Sequence, residues 1–241
     1  MTKKTKRESA IILVSGGMDS AVTAAIAIKK FTPIFLHFNY GQRTVKKELL
    51  SFNKLKKYFN VQQSETIDIP YLKELCSSSL LENEDPSIFP VAHTSQIPST
   101  YVPFRNTQLL AIAVSWAESL GVHHIFYGAN HVDSSGYPDC RLNYLKAFNK
   151  LIELGTKPES KIKIDAPLIK MKKDGIVKLG IKLNVPFQHT WSCYKNSKLA
   201  CGRCDSCRLR LKGFQVAGVS DLIKYEKTCM PTAIGIKKKK N

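Results

Sequence analysis

Ser15-Gly16-Gly17-Met18-Asp19-Ser20 lies between an apolar run, Ala10-Ile11-Ile12-Leu13-Val14, and a stretch of helix formers, Ala21 to Lys30. The run before it is short and branched, as a buried strand should be. The stretch after it closes on two lysines, as the C-terminal end of a helix should. A strand, two adjacent glycines and a helix start bring backbone N–H groups and the positive end of a helix dipole to one place, where a phosphate can sit. Gly16 and Gly17 let the backbone approach the anion, Ser20 adds a hydroxyl donor, and Asp19 either holds a metal ion or caps the helix. An ordinary glycine turn with an Asx cap fits the two glycines equally well. The dinucleotide fingerprint is excluded because it needs three spaced glycines, and the Walker loop because it needs Gly-Lys-Ser/Thr.

Outward from this loop, apolar runs and helical stripes alternate along the chain. Phe31 to Phe38 is a second expected strand, ending in Tyr40-Gly41-Gln42-Arg43, where a parallel sheet offers ligand contacts. A helix is expected over Lys46–Tyr58 and a strand over Glu65–Ile69, stopped by Pro70. Residues 76–103 carry four prolines and no periodicity, which marks a long functional loop or lid. Helix resumes at Arg105 and ends at Gly121, and His123–Tyr127 follows as a strand. A helix over Tyr144–Leu154 with Gly155 as its C-cap, a strand over Lys161–Asp165, and a helix over Met171–Leu183 weakened by Gly180 complete the series. Such alternation argues for an α/β fold with a parallel sheet covered on both faces. We expect a phosphate-binding α/β domain over 1–185 and a C-terminal segment over 186–241 packed on it.

Bulk properties narrow the class. The 241 residues suffice for a substantial core, with 43% hydrophobic and 23% charged residues. No apolar run is long enough to span a bilayer, and no secretory signal is visible before the first strand. Seven cysteines, an odd number, argue against a disulfide framework and for a reducing compartment, so a cytoplasmic location is expected. The net charge of +18 invites a nucleic-acid reading, yet Lys3, Lys4, Lys6, Arg7 and Lys237–Lys240 supply eight of those charges. The body keeps +10, and lysine-rich faces often serve solubility, so direct nucleic-acid binding is not expected.

Cys193, Cys201, Cys204 and Cys207 follow the pattern C-x7-C-x2-C-x2-C. Four thiolates within fifteen residues close a tetrahedral site, and the short spacings suit a tight knuckle around one zinc ion. An iron–sulfur cluster is the rival with the same ligand chemistry, lacking an evident electron-transfer partner here. Cys76, Cys140 and Cys229 are expected to be buried or incidental.

Ser-Gly-Gly-x-Asp-Ser after a strand resembles the signature of the PP-loop ATP pyrophosphatases, which cleave ATP between the α and β phosphates and adenylate a substrate. Further motifs in order are similar to those of one family within that group, the 7-cyano-7-deazaguanine synthases of the queuosine pathway. They are Tyr40-Gly41-Gln42-Arg43 with Glu48; Thr100 to Pro103 leading to Arg105-Asn106; Asp133 with Ser135-Gly136-Tyr137-Pro138-Asp139-Cys140-Arg141; and Thr190 to Tyr194 with the cysteine segment through Arg210. The resemblance implies a Rossmann-like parallel sheet of the adenine nucleotide alpha hydrolase type with a C-terminal zinc-binding segment. It also implies a homodimer that converts 7-carboxy-7-deazaguanine, ammonia and ATP, with Mg2+, to the 7-cyano base, AMP and pyrophosphate.

Carried onto this sequence, the resemblance puts ATP against Leu13, Val14, Ser15, Gly16, Gly17, Met18, Asp19, Ser20, Ala21, Val22 and Thr23. Asp19, Ser20, Arg105 and Lys173 become the catalytic candidates. Tyr40, Arg43, Arg105, Asn106, Asp133, Tyr137, Asp139 and Arg141 become the candidates for holding the substrate. Departures include Phe104 where the family commonly has glycine, Ser134 for a tyrosine, Gly175 for a glutamate, and Asn196-Ser197 for a glycine-containing turn. Three rivals remain: another PP-loop enzyme acting on tRNA, which the charge favours and the Ser135–Arg141 motif does not; a defence- or DNA-modification relative that shares the adenylation chemistry but has another acceptor; and a zinc-containing nucleic-acid-binding regulator, which leaves the phosphate loop unexplained.

Overall fold

The five expected strands form one parallel sheet in the computed structural model, which describes residues 7–81, 97–132 and 136–226. They are β1 (Ser9–Leu13), β2 (Thr32–Asn39), β3 (Gln63–Asp68), β4 (His124–Phe126) and β5 (Lys163–Asp165), in the order β3-β2-β1-β4-β5. Every neighbouring pair runs parallel. Helices α1 (Met18–Ile28), α2 (Val45–Tyr58), α4 (Arg105–Leu120), α5 (Leu142–Gly155) and α6 (Lys173–Lys182) join or follow the strands. A one-turn helix α3 (Tyr71–Leu75), which the sequence pattern did not signal, and the final helix α7 (Asp205–Ala217) complete the set.

Alternation along the strands divides the core in two. Ala10, Ile12 and Phe35 pack with α1, α6 and Phe52 of α2 on one face. Ile11, Leu13, Leu36 and Ile125 pack with α4 and α5 on the other. Ile11, Ile12, Phe35, Leu36 and Ile125 are wholly buried, each worth about 1.5–3 kcal/mol of transfer free energy. Phe187 and Phe214, from the C-terminal segment, belong to the first of these clusters, so that segment shares the core of the sheet domain. The four cysteines form a third cluster with Trp191, Ala200 and Tyr225.

Two glycine readings are corrected. Gly155 is the last residue of α5, and Thr156 follows as C-cap with φ −115°, so no left-handed turn ends this helix. Gly180 is a packing position: a Cβ there would stand 2.3 Å from Phe187 Cζ and 2.9 Å from Val22 Cγ2. Gly121, by contrast, has φ +65° and ends α4 as expected. Most of the expected lid, together with Asp133, Ser134, Cys229 and the lysine-rich tails apart from Arg7, lies outside the described residues.

The strand order reverses between β1 and β4, since β1 continues to β2 on one side and β4 leads to β5 on the other. In an open parallel sheet the crevice beyond the carboxyl ends at such a point is where ligands bind. The loop after β1 and the loop after β4 both begin there.

Candidate active site and metal centre

The loop after β1 is held rigidly from three sides. His37, whose pKa is lowered by burial, donates from Nδ1 to the Val14 carbonyl at 2.8 Å, and Val14 N–H donates to Leu36 O at 2.8 Å. Trp191 N–H donates to the Gly16 carbonyl at 2.8 Å. Gly16 has φ +87°, and a Cβ there would lie 2.6 Å from the Glu48 backbone carbonyl, so both the turn and the approach of α2 require glycine. Gly17 differs. Its φ of −81° suits any residue, and its nearest protein atoms are Ser15 Oγ at 3.4 Å and Trp191 O at 3.6 Å from a built Cβ.

Gly17 is the N-cap of α1 and no side chain caps the helix, so Asp19 sits in the first turn and is not the cap. Gly17 N–H donates to Ser15 Oγ at 3.3 Å, while Ser20 Oγ donates to Gly17 O at 3.0 Å. Asp19 Oδ2 accepts a 2.8 Å bond from Lys173 Nζ, and Asp19 Oδ1 is buried with no partner among the described residues. A buried carboxylate oxygen facing a cavity without a donor fits a bound cation. Gly213 of α7 makes room for the lysine, because a Cβ there would lie 2.5 Å from Lys173 Cγ. Gly128 after β4 approaches the backbone of Ser20 in the same manner, at 3.1 Å.

A cavity of about 550 Å³ opens in front of this loop. That volume suits a small-molecule site. Arg105, at the start of α4, projects into it and donates to Tyr40 Oη at 2.9 Å and to Asn106 Oδ1 at 3.0 and 3.2 Å. Burial works against the Arg105 charge, and the surrounding Tyr40, Tyr127, Asp139 and Cys140 outweigh it, holding the pKa above its ordinary value. Arg105 is therefore a fixed, desolvated cation. Phe104, just before it, adopts φ +57°, ψ 17°, a left-handed conformation natural to glycine. Tyr137 lines the cavity with its hydroxyl bonded to Thr100, its pKa pushed up to about 12 by burial. Cys140 also faces the cavity, and burial followed by the nearby Asp139 pushes its thiol up to about 11.

Of the residues singled out from sequence, Leu13, Val14, Ser15, Gly17, Met18, Asp19, Ser20, Tyr40, Arg105, Asn106, Tyr137 and Lys173 surround this one cavity. Ala21, Val22 and Thr23 are buried in α1. Asp139 is buried behind the wall and accepts the Asn106 N–H at 3.2 Å. Arg43 and Arg141 do not line the cavity, and Asp133 lies outside the described residues. Sequence reasoning gave no role to Tyr127, Tyr194, Trp191 or Asp205, which also form the wall. Their signal was proximity to motifs, since Asp205 lies between two cysteines and Tyr127 ends a strand.

The Sγ atoms of Cys193, Cys201, Cys204 and Cys207 all lie within 4.8 Å of one another, and all four residues are buried. A tetrahedron of thiolates about 2.3 Å from one ion has edges of about 3.8 Å, and Cys201 and Cys207 stand 4.0 Å apart. The cluster therefore fits a single metal ion. Backbone N–H groups of Asn196 and Cys201 donate to Cys193 Sγ, and those of Arg203 and Cys204 to Cys201 Sγ, at 3.3–3.4 Å. Such donors favour the thiolate a metal needs. Nearby, buried Arg210 makes a double contact with Asp221 at 2.7 and 2.9 Å and donates to Thr190 and Ser192, tying α7 to the Trp191 segment.

The chain has known counterparts. Residues 9–218 match the family model described as queuosine biosynthesis protein QueC. A 7-cyano-7-deazaguanine synthase of Chloroherpeton thalassium is 49% identical over 218 residues, covering 90% of this chain and 96% of that protein. One of Nautilia profundicola is 48% identical over 221 residues, covering 91% and 99%. Among solved structures, NMN synthetase of Francisella tularensis aligns over 89% of this chain and 79% of its own at 18% identity, with a TM-score of 0.48.

Proposed function

The chain belongs to the QueC family of queuosine biosynthesis proteins, and on that premise we propose that it makes 7-cyano-7-deazaguanine from 7-carboxy-7-deazaguanine, ammonia and ATP. The observation that carries this reading is the placement of the Ser15–Ser20 loop. It lies at the reversal of the sheet and opens onto one cavity that also holds Arg105.

A carboxylate resists amination because oxide is a poor leaving group. Attack of a carboxylate oxygen on the α-phosphorus breaks the α–β bond, releases pyrophosphate and leaves an acyl-adenylate. Ammonia then adds to the carbonyl carbon, AMP departs with that oxygen, and the amide remains. The amide oxygen attacks a second ATP in the same way. Loss of that AMP with the remaining amide protons gives the nitrile, so each product consumes two ATP and yields two AMP and two pyrophosphates.

Negative charge grows on the departing pyrophosphate in both rounds. The N–H groups at the start of α1, the Ser15 and Ser20 hydroxyls and Lys173 are the donors suited to hold it. Arg105 is suited to the substrate carboxylate, where a guanidinium forms a paired contact. Tyr40, Asn106 and Tyr137 complete that wall, while Arg43, Asp139 and Arg141 stay in the proposal as outer contacts and Asp133, outside the described residues, stays as a substrate candidate. Magnesium held at Asp19 would neutralise phosphate charge, and the unpartnered Asp19 Oδ1 supports this. Zinc is the ion we assign to the four cysteines, with a structural role, because the sulfurs sit as close as one tetrahedral ion requires. Residues 1–185 and 186–241 serve as the ATP-binding domain and the metal-binding segment. We place the protein in the cytoplasm as a homodimer, with small-molecule partners only.

Mass spectrometry of a turnover mixture with all three substrates tests this. The expected product is the nitrile with AMP, dependent on the base. AMP formation without nitrile, or ADP in its place, rejects the proposal.

A further inference from the structure

Asp205 is the first residue of α7, directly after Cys204 at the N-cap, and with Ser206 it lines the same cavity as the phosphate loop. Its Oδ1 is buried and finds no hydrogen-bond partner among the described residues. An acceptor stripped of water and left unpaired destabilises a fold unless a ligand satisfies it. The cavity carries groups of both signs: Arg105 supplies a cation and Asp205 an acceptor, and Tyr137 lies within electrostatic reach of both. Tyr194, buried beside Tyr137, adds a second ring.

A ligand complementary to this arrangement is flat, anionic at one end and rich in donors at the other. Resting on the function proposed above, we propose that Asp205 is the specificity-determining acceptor for the amino–imino edge of the 7-deazaguanine base. That edge presents N1–H and the 2-amino group side by side, matching the two oxygens of one carboxylate. ATP fits this position poorly, since its phosphates would be repelled and adenine offers a single amino group.

The test uses the metal-loaded full chain and compares kcat/KM for 7-carboxy-7-deazaguanine with that for 7-carboxy-7-deazahypoxanthine, which lacks the 2-amino group. Wild type should prefer the first by about 10- to 100-fold, the worth of one hydrogen bond to a charged acceptor. Asp205→Asn should reduce that preference to about threefold or less, with metal content unchanged, because one acceptor oxygen becomes a donor. The ratio within one variant does not depend on how much of it is folded. Should the variant turn over neither base, equilibrium dialysis of the two bases reads the preference as a ratio of Kd values, in wild type and variant alike, with Asp205→Ser as a second variant. Equal preference in wild type and variant, or a variant whose only change is a raised KM for ammonia, overturns the assignment. A wild type inert toward 7-carboxy-7-deazaguanine would reject the proposed function itself. A wild type that is active without preference rejects this inference alone.

Discussion

Gly16→Ala and Gly17→Ala should separate the two duties of the phosphate loop, building the fold and leaving room for an anion. At Gly16 the methyl group must adopt φ +87°, costing about 1–2 kcal/mol. It also lands 2.6 Å from the Glu48 carbonyl and 3.0 Å from Ser51 Cβ, and a backbone carbonyl cannot swing aside as a side chain can. Overpacking of this kind adds about 1–3 kcal/mol, for a total of about 2–5 kcal/mol. Because Gly16 O also accepts the Trp191 N–H, the displaced loop should carry the Trp191 segment with it. At Gly17 the backbone is unstrained and the new methyl group meets nothing closer than 3.4 Å, so stability should change by less than about 1 kcal/mol. That methyl group nevertheless stands at the cavity wall, where the pyrophosphate is proposed to lie, and a misplacement of about 1 Å costs roughly 100-fold in rate. Urea unfolding midpoints and AMP release measured on both variants give the answer. Gly16→Ala should lose stability and activity together, and Gly17→Ala should lose activity alone. The reasoning is refuted if Gly16→Ala is as stable as wild type, or if Gly17→Ala keeps full turnover.

Removing the metal with a chelator, or replacing Cys201 with Ser, should cost at least about 3 kcal/mol, because the third cluster then loses the tie among its four buried thiols. A thermal melt should fall by about 6–12 °C, and an unchanged melt would show that the cysteines hold no structural ion. Phe104→Gly should stabilise the protein by up to about 1 kcal/mol: it relieves a left-handed φ of +57° on a side chain that is 62% exposed, against the added chain entropy of glycine. A urea midpoint that falls would contradict the strain at that residue. Gly213→Ala should push Lys173 away from Asp19, lowering kcat by about 10- to 100-fold with metal content intact, and an unchanged kcat would remove Lys173 from the phosphate site.

The first two strands were legible because Ala10–Val14 and Ile34–Phe38 are buried on both faces and so appear as largely apolar runs. The cysteine cluster was legible because its ligands lie close together in sequence. Helix α3 was not, since its five residues contain too few apolar positions for a period. Gly180 misled because sequence shows the missing Cβ but not what occupies its place, here Phe187, and Gly155 because the helix ends one residue later without the left-handed turn that glycine suggests. Asp205 was hidden by its neighbours, which explained the motif as metal ligands before its carboxylate was considered. Long-range pairs such as Asp19 with Lys173, 154 residues apart, leave no local trace in the sequence.

The most direct measurement follows the oxygen atoms of the acid. With 7-carboxy-7-deazaguanine labelled in both carboxylate oxygens with 18O, the account predicts that each label ends in AMP, two labelled AMP for every nitrile formed, with pyrophosphate unlabelled. Label recovered in water or inorganic phosphate, or AMP free of it, would contradict adenylation at the Ser15–Ser20 loop.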